Sequence, residues 1–123
     1  MNHTKAFFQQ FQTVVEQLQE MFPEDVDFPT FSTFLGLLQK TNPTLVIKTF
    51  YDNVNVKYSK QIDDRDEEFI TKYKGEEYGN DMIDIVSKLQ GYWTVLSPDT
   101  RKSIWMYMFV LKELAKKIYT PAA

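Results

Sequence analysis

The stretch SPDTRKSIWMYMFVLKEL, residues 97–114, decides how this chain folds. It opens with residues typical of a helix start, because Ser97 is a good N-cap and Pro98 suits the first helical turn. Eight apolar or aromatic residues then follow without interruption, from Ile104 to Leu111. An ordinary surface helix presents a polar face at regular intervals and does not contain such a run. The stretch therefore predicts a long final helix that is apolar around most of its circumference.

Two residues of this run, Met106 and Phe109, do not belong to the main apolar face of the helix. On a helical wheel that face is formed by Ile104, Tyr107, Met108, Leu111, Leu114, Ala115 and Ile118. Trp105 and Val110 lie at its edges, whereas Met106 and Phe109 fall among the polar residues on the other side. One interpretation is that the helix is central, with neighbours that cover both sides. The other is that Met106 and Phe109, with Trp105, form an exposed patch that binds a partner, since aromatic residues and Met are enriched at interfaces.

The rest of the chain also carries helical patterns. Residues 5–22 hold the clearest one, with apolar side chains at three- and four-residue spacing: Phe7, Phe8, Phe11, Val14, Val15, Leu18, Met21 and Phe22. A loop with prolines near both ends, 23–29, precedes a second short helix over 30–40. Asn42 and Pro43 then predict the start of a third helix. Its end stays open, because VNVKYSKQI, 54–62, fits either a helix or an extended segment.

Two more helices are predicted before the last one. Asp63 or Asp64 can cap the first of them, and the spacing of apolar residues predicts the second over 81–95. No segment has a convincing strand pattern. The sequence therefore predicts an all-α protein in which residues 1–123 form one domain. Its expected architecture is a compact bundle of five or six helices, with the long C-terminal helix as the central element.

The composition limits the classes of function. The chain has 123 residues, a net charge of −3 and no cysteine, which excludes disulfides, thiol catalysis and Cys-ligated metals. The N-terminal segment MNHTKAFFQQFQ lacks the apolar core of a signal peptide. No apolar run approaches the roughly 20 residues that a membrane span requires. We therefore expect a protein that is not secreted and has no membrane partner.

Residue types that carry catalysis are scarce. The only histidine, His3, lies beside the N-terminus, and no serine stands in the Gly-framed turn of a hydrolase nucleophile. Glycine motifs that bind phosphate are absent from the sequence. We therefore predict no catalytic residue, no cofactor and no metal site, and a protein that is not an enzyme.

Two charged segments leave alternative functions open. The acidic cluster at 63–68 could bind Mg²⁺ in a metal-dependent enzyme, although Phe69 stands where an EF-hand loop needs Gly. A basic series on the final helix could associate with nucleic acid; it consists of Arg101, Lys102, Lys112, Lys116 and Lys117. The series is sparse and the net charge is negative, which argues against nucleic acid. Charge balance also predicts that the acidic turn pairs with the last helix, for example Asp66 with Arg101.

Two segments, YSKQIDDRDEEF at 58–69 and SPDTRKSIWMY at 97–107, resemble sequence elements of small α-helical proteins encoded by nucleocytoplasmic large DNA viruses of algae and amoebae. In those proteins a Lys-Asp-Glu-x-Phe-Phe element follows a Tyr-x-x-x-Ile, and an Asn-Thr-Lys-x-x-Ile-Trp-x-Tyr-Leu element opens the last helix. This chain departs from them because Arg65 replaces the Lys and Ile70 replaces the second Phe. In addition, Pro98-Asp99 precedes Thr100, where the family element has Asn before its Thr.

The resemblance implies a viral protein that is made in the cytoplasm of an infected host cell and acts by binding, either there or within the virion. It carries over no catalytic residue. The function that we expect is a non-enzymatic protein–protein interaction or structural module. Its candidate partner-binding residues are Trp105, Met106 and Phe109, and its partner is a viral or host protein or a second copy of the chain.

Overall fold

The architecture of this chain is all-α. The computed structural model describes residues 2–71 and 85–119, with the backbone alone for 85–87. Its helices are α1 (His3–Met21), α2 (Asp27–Thr41), α3 (Pro43–Phe50), α4 (Val56–Asp63), α5 (Glu68–Thr71), α6 (Ile85–Tyr92) and α7 (Pro98–Tyr119). A π-helical turn, Tyr51–Asn55, joins α3 to α4, and a 3₁₀ turn, Trp93–Val95, follows α6. No strand occurs in these residues, so the predicted helical bundle is confirmed.

Helix α1 forms as its spacing predicts. The Asn2 side chain caps it by accepting a hydrogen bond from the Lys5 N–H at 3.0 Å. Its apolar stripe is buried as far as Leu18: Phe7, Phe8, Phe11, Val14, Val15 and Leu18. The last two residues of the predicted stripe differ, because Met21 is 39% exposed and Phe22 is only half-buried after the helix end. Phe7 packs edge-to-face against Phe50 of α3, with ring centroids 5.4 Å apart. This stripe places α1 at the core of the bundle.

Helix α2 begins at Asp27, earlier than the loop predicted over 23–29 allows. Pro29 is compatible with this start, because the first helical turn makes no use of its backbone N–H groups. An N-terminal turn can therefore contain a proline without losing a hydrogen bond. The prediction that the second helix begins at residue 30 is wrong for this reason.

The third predicted helix continues without interruption from Pro43 to Asp63 through the π-helical turn. The segment 54–62 is thus helical, which settles the alternative that the sequence left open. The π turn carries a bond that tethers this helix to α7: the Asn55 Nδ2 donates to the Lys112 carbonyl at 2.9 Å. With α3 and α4 counted as one continuous helix, the described residues form six helices.

The acidic turn is capped at a different residue from the one predicted. Asp63 and Asp64 end α4, and the Asp66 side chain accepts from the Glu68 N–H at 2.9 Å at the start of α5. Of the helix predicted over 81–95, residues 81–84 lie outside the described residues. The remainder forms α6 and the 3₁₀ turn, in which Leu89 and Trp93 are buried.

Helix α7 packs against α1, α3, the π turn and α4, as expected for the long C-terminal helix. Ser97 caps it, since the Thr100 N–H donates to the Ser97 Oγ at 3.2 Å. Gln17 of α1 donates to the Tyr107 hydroxyl at 2.8 Å, and the Tyr119 hydroxyl donates to the Thr44 carbonyl at 3.0 Å. These contacts fix α7 against its neighbours at both its middle and its end.

Candidate functional site

Helix α7 has one open side, and three apolar side chains lie on it. Met106 is 54% exposed, Phe109 44% and Val110 36%. Their spacing of three and four residues places them next to one another on the helix surface. We call these three residues the α7 patch. The interpretation in which neighbours cover both sides of α7 is therefore wrong at Met106 and Phe109.

Trp105, the third predicted partner-binding residue, is buried rather than exposed. Its ring packs edge-to-face against Trp93 at 5.5 Å and lies 6.1 Å from Phe69. The indole is thus an anchor that joins α7 to α5 and to the 3₁₀ turn. It also forms part of the wall of a groove beside the α7 patch.

That groove has a volume of about 360 Å³ and opens between α7 and the end of α4. Its lining is mostly apolar on the α7 side and charged on the α4 side: Ile62, Asp63, Arg65, Trp105, Met106, Phe109 and Val110. A concave site with an apolar wall and a few polar groups is the usual form of a binding site. The groove and the α7 patch together make the candidate site.

A buried lysine, Lys112, contacts two residues that line the groove, Asp63 and Phe109. The Lys112 ammonium lies 2.7 Å from Asp63 Oδ1 and 3.6 Å from Glu113 Oε2. It also lies 5.3 Å from the centre of the Phe109 ring, which is the geometry of a cation–π contact. Lys112 therefore orients Phe109 while it neutralises the carboxylate at the groove's edge.

Lys112 also donates a hydrogen bond to Ser59 Oγ at 3.2 Å, so a Ser–Lys pair exists in this fold. Nucleophilic catalysis by such a pair needs a lysine that can accept the serine proton. Here the Lys112 Nζ is the donor to Ser59, and it also contacts Asp63 and Glu113. The pair consequently fits a structural role. His3, the only histidine of the chain, is the first residue of α1.

Arg65, on the groove's edge, has an unusual backbone conformation. Its φ is 52°, in the left-handed region that favours glycine. The turn is closed by the Asp66 N–H bonding to the Gln61 carbonyl at 2.7 Å and by the Arg65 N–H bonding to the Ile62 carbonyl at 3.1 Å. This is a helix end of the kind that commonly carries Gly at the left-handed position. No pattern in the sequence predicted this geometry.

The acids of the cluster at 63–68 point to separate partners. Asp63 binds Lys112, Asp66 caps α5, and Glu67 lies 3.6 Å from Arg101 and accepts from the Trp93 indole at 3.2 Å. The predicted pairing of this turn with the last helix is thus present, but through Glu67 and Asp63 rather than Asp66. Among residues 2–71 and 85–119, no three acidic or histidine side chains are arranged to hold a metal ion.

The basic series of α7 divides into paired and unpaired members. Arg101 binds Glu67, donates to the Trp93 carbonyl at 3.0 Å and lies over the Trp93 ring at 5.4 Å. Lys112 is buried. Lys102, Lys116 and Lys117 are exposed, so the series does not form one continuous basic surface.

A second charged cluster, which the sequence did not reveal, ties the loop after α1 to α6. Lys88 lies 2.8 Å from Asp25 and 2.7 Å from Asp27, and the Tyr92 hydroxyl donates to Asp25. The hydrogen bond from Lys88, with a second from Tyr92, lowers the pKa of Asp25 to about 2. The hydrogen bond to Asp25 raises the pKa of Lys88 and also that of Tyr92. Phe22 also stacks on Tyr92, with ring centroids 3.9 Å apart. These contacts hold the loop after α1 against α6, and we call Asp25, Lys88 and Tyr92 the latch.

Comparisons of the chain with protein-family models, with curated proteins and with solved structures find no match. Within the described part of the chain, no helix is both long enough and apolar enough to cross a membrane.

Proposed function

We propose that this protein is a non-enzymatic protein–protein interaction module that binds its partner through the α7 patch and the adjoining groove. The observation that carries the proposal is the exposure of Met106, Phe109 and Val110 side by side on an otherwise well-packed helix. Single exposed apolar residues are common on protein surfaces, but clustered ones mark interaction sites. Here the cluster also borders a groove that can receive a side chain.

The patch has properties that suit an interface. Burial of a large apolar side chain contributes roughly 1.5–3 kcal/mol, so covering the exposed portions of three such residues contributes on the order of 1 kcal/mol each. Phe109 is already oriented by Lys112, which reduces the entropy lost when a partner binds. Trp105 supplies a rigid wall because it is held by Trp93 and Phe69.

We further propose that the protein is encoded by a large DNA virus and acts in the cytoplasm of the infected host cell or within the virion. Support for this setting comes from the sequence elements at 58–69 and 97–107. The partner in this proposal is a viral or host protein. Mass spectrometry of purified virions and of infected-cell cytosol separates the two locations.

Site-specific cross-linking tests the interaction. Benzoylphenylalanine replaces Met106 in one variant and Leu37 of α2 in a control, because both side chains are 54% exposed. Each variant is expressed in the native host cell and illuminated. We expect a discrete adduct at Met106 that is absent at Leu37 and that disappears when Phe109→Glu is added. Equal adducts at both positions, or none at Met106, would rule out this site as the interface.

A further inference from the structure

One strip of residues on the open side of α7 recurs at alternating three- and four-residue steps. Its six members, in chain order, are Asp99, Lys102, Met106, Phe109, Glu113 and Lys116. Five of them are exposed, and Glu113, which lies 3.6 Å from Lys112, keeps a side chain that is 39% exposed. This spacing is that of the a and d positions of a heptad, which line up along one side of a helix and pack against a second helix. We call these six residues the α7 seam.

The α7 seam has its two apolar residues at the centre and one acid and one base on each side. From its N-terminal to its C-terminal end the order is negative, positive, apolar, apolar, negative, positive. In the opposite direction the order is positive, negative, apolar, apolar, positive, negative. Every charged position of the seam therefore meets the opposite charge when the seam is laid against a reversed copy of itself.

A second copy of α7 that runs antiparallel to the first produces this pairing. With the two-fold axis midway between Met106 and Phe109, each of these two residues lies against the other type in the second copy. The flanking contacts are then Lys102 against Glu113 of the second copy and Asp99 against Lys116 of the second copy. Because a two-fold interface repeats every contact, both kinds of ion pair occur twice. The result is an apolar centre between four pairs of opposite charge.

Other occupants match the α7 seam less well. A parallel copy places Asp99 against Asp99 and Lys102 against Lys102, and like charges opposed across an interface destabilise it. A segment with charges of one sign, acidic or basic, meets two like and two opposite charges along the seam. It therefore gains attraction at two positions and loses it at the other two. Only the reversed copy, or a segment with the same alternation, meets an opposite charge at all four.

The charges beside the α7 seam are compatible with this pairing. Near its centre, Arg65 and Asp64 carry opposite charges, and Asp63 is held 2.7 Å from the buried Lys112. At its C-terminal end, Lys117 adds a second exposed cation, of the same sign as the seam residue next to it. The charge order of the seam is therefore not cancelled by its neighbours.

We propose that the α7 seam binds a second copy of this chain, in a two-fold antiparallel dimer with Met106 and Phe109 at its centre. This inference rests on the proposed function and identifies the partner as the chain itself. The apolar centre supplies the desolvated contact, and the alternating charges set the direction and register of the two helices, as charged residues do in paired helices. The apolar centre is small, so the dimer dissociates on dilution.

Charge reversal within the α7 seam tests the proposal. Sedimentation velocity of the unmodified chain between about 10 µM and 1 mM measures the dissociation constant of the dimer. Lys102→Glu and Glu113→Lys each convert two opposite-charge pairs into like-charge pairs, so each alone should weaken the dimer about tenfold. An equimolar mixture of the two variants has opposite charges at both positions again, and its heterodimer should regain the affinity of the unmodified chain. The control Lys40→Glu, at an exposed lysine of α2, should change nothing.

A second pair of variants repeats the test away from the contact between Glu113 and Lys112. Asp99→Lys and Lys116→Glu should each weaken the dimer alone and restore it when mixed. Circular dichroism confirms that every variant is folded. Recovery in neither mixture would overturn the antiparallel pairing.

Cysteine cross-linking reports the direction of the two helices, because the chain has no cysteine of its own. Asp99→Cys and Lys116→Cys are oxidised under mild conditions, each alone and as a mixture, with Lys40→Cys as the control for random collision. We expect disulfide-linked dimers in the mixture, well above the control, and only the control level in each variant alone. Efficient disulfides within each variant alone would indicate a parallel dimer and overturn the proposal.

The outcomes separate this inference from the proposed function. A chain that stays monomeric up to about 1 mM, or a dimer that Phe109→Glu does not dissociate, would overturn the inference. The proposed function then stands if the photo-reactive residue at position 106 forms an adduct with a different protein. It fails as well if that residue forms no adduct at all. An adduct with the mass of two copies of the chain supports both.

Discussion

Helices α1 and α7 are the two longest of the described residues and pack against each other, yet they use their apolar residues differently. In α1 the stripe from Phe7 to Leu18 is fully buried, and the outward face is made of Gln, Glu and Thr. In α7 a similar buried face exists, but Met106, Phe109 and Val110 remain on the surface. Packing therefore accounts for the apolar pattern of α1 as far as Leu18, beyond which Met21 is 39% exposed, and for only part of that of α7.

The difference teaches where to look for function in this chain. Apolar residues that a core requires are explained by stability alone. An exposed apolar residue that stands alone needs no further explanation, whereas a cluster of them marks a candidate interaction site. The α7 patch is such a cluster. It lies beside the groove, the buried Lys112 and Arg65, whose backbone is strained.

The largest expected effect compares one phenylalanine from each helix. Phe8→Ala in α1 should lower the free energy of unfolding by about 3–5 kcal/mol, because its ring is fully buried. Phe109→Ala should lower it by about 1 kcal/mol or less, mainly through the lost contact with Lys112. Urea unfolding followed by circular dichroism measures both. Similar losses for the two variants would mean that α7 is packed on both sides in solution.

The next effect concerns the ion pair between the buried Lys112 and Asp63, whose side chain is 47% exposed. Asp63→Asn should cost about 2–3 kcal/mol, since it leaves the Lys112 ammonium buried with only the more distant Glu113 to neutralise it. In a Lys112→Met background the same substitution should cost little. The double-mutant cycle in urea measures this coupling. A coupling near zero would show that the pair does not hold α4 against α7.

A smaller effect is expected at the latch formed by Asp25, Lys88 and Tyr92. The pKa of Asp25 is about 2 in the folded protein and near 3.8 when unfolded, so the unfolded chain binds more protons between these values. The stabilisation is present above pH 4 and lost as the pH falls towards 2. Melting temperatures between pH 6 and 2 should therefore drop more steeply for the unmodified chain than for Asp25→Asn. Parallel curves would exclude the latch as a source of acid sensitivity.

The smallest effect on stability comes from Arg65. Arg65→Gly should raise the free energy of unfolding by about 0.5–1 kcal/mol, because glycine adopts a φ of 52° without strain. Arg65→Ala removes the charge but keeps the Cβ, so it should leave stability nearly unchanged. A destabilised Arg65→Gly would show that the arginine side chain contributes more to the fold than its backbone strain removes.

Much of the fold follows from short-range signals in the sequence. The spacing in α1 and the caps at Asn42 and Ser97 predict the helices in which they occur, since local hydrogen bonds and one buried face determine them. The helix over 54–62 was ambiguous because its stability comes from long-range contacts with α7, such as the bond from Asn55 to the Lys112 carbonyl. Propensity alone cannot detect such contacts.

The candidate site was predictable only in part. The wheel of α7 singles out Met106 and Phe109, but it cannot decide whether another helix covers them. Arg65 and Asp63 enter the site through a turn whose left-handed residue is not glycine, so no turn signal marks it. The burial of Lys112 likewise depends on Asp63 and Ser59, which lie about 50 positions earlier in the chain.

Methionine oxidation tests the central claim most directly, because α7 carries two methionines of opposite exposure. Met106 is 54% exposed and Met108 is 1% exposed. Limited treatment with hydrogen peroxide, followed by peptide mass spectrometry, compares their rates of sulfoxide formation. We expect Met106 to react many times faster than Met108 in the free protein. Equal rates in the free protein would contradict the assignment of the α7 patch as an exposed docking surface.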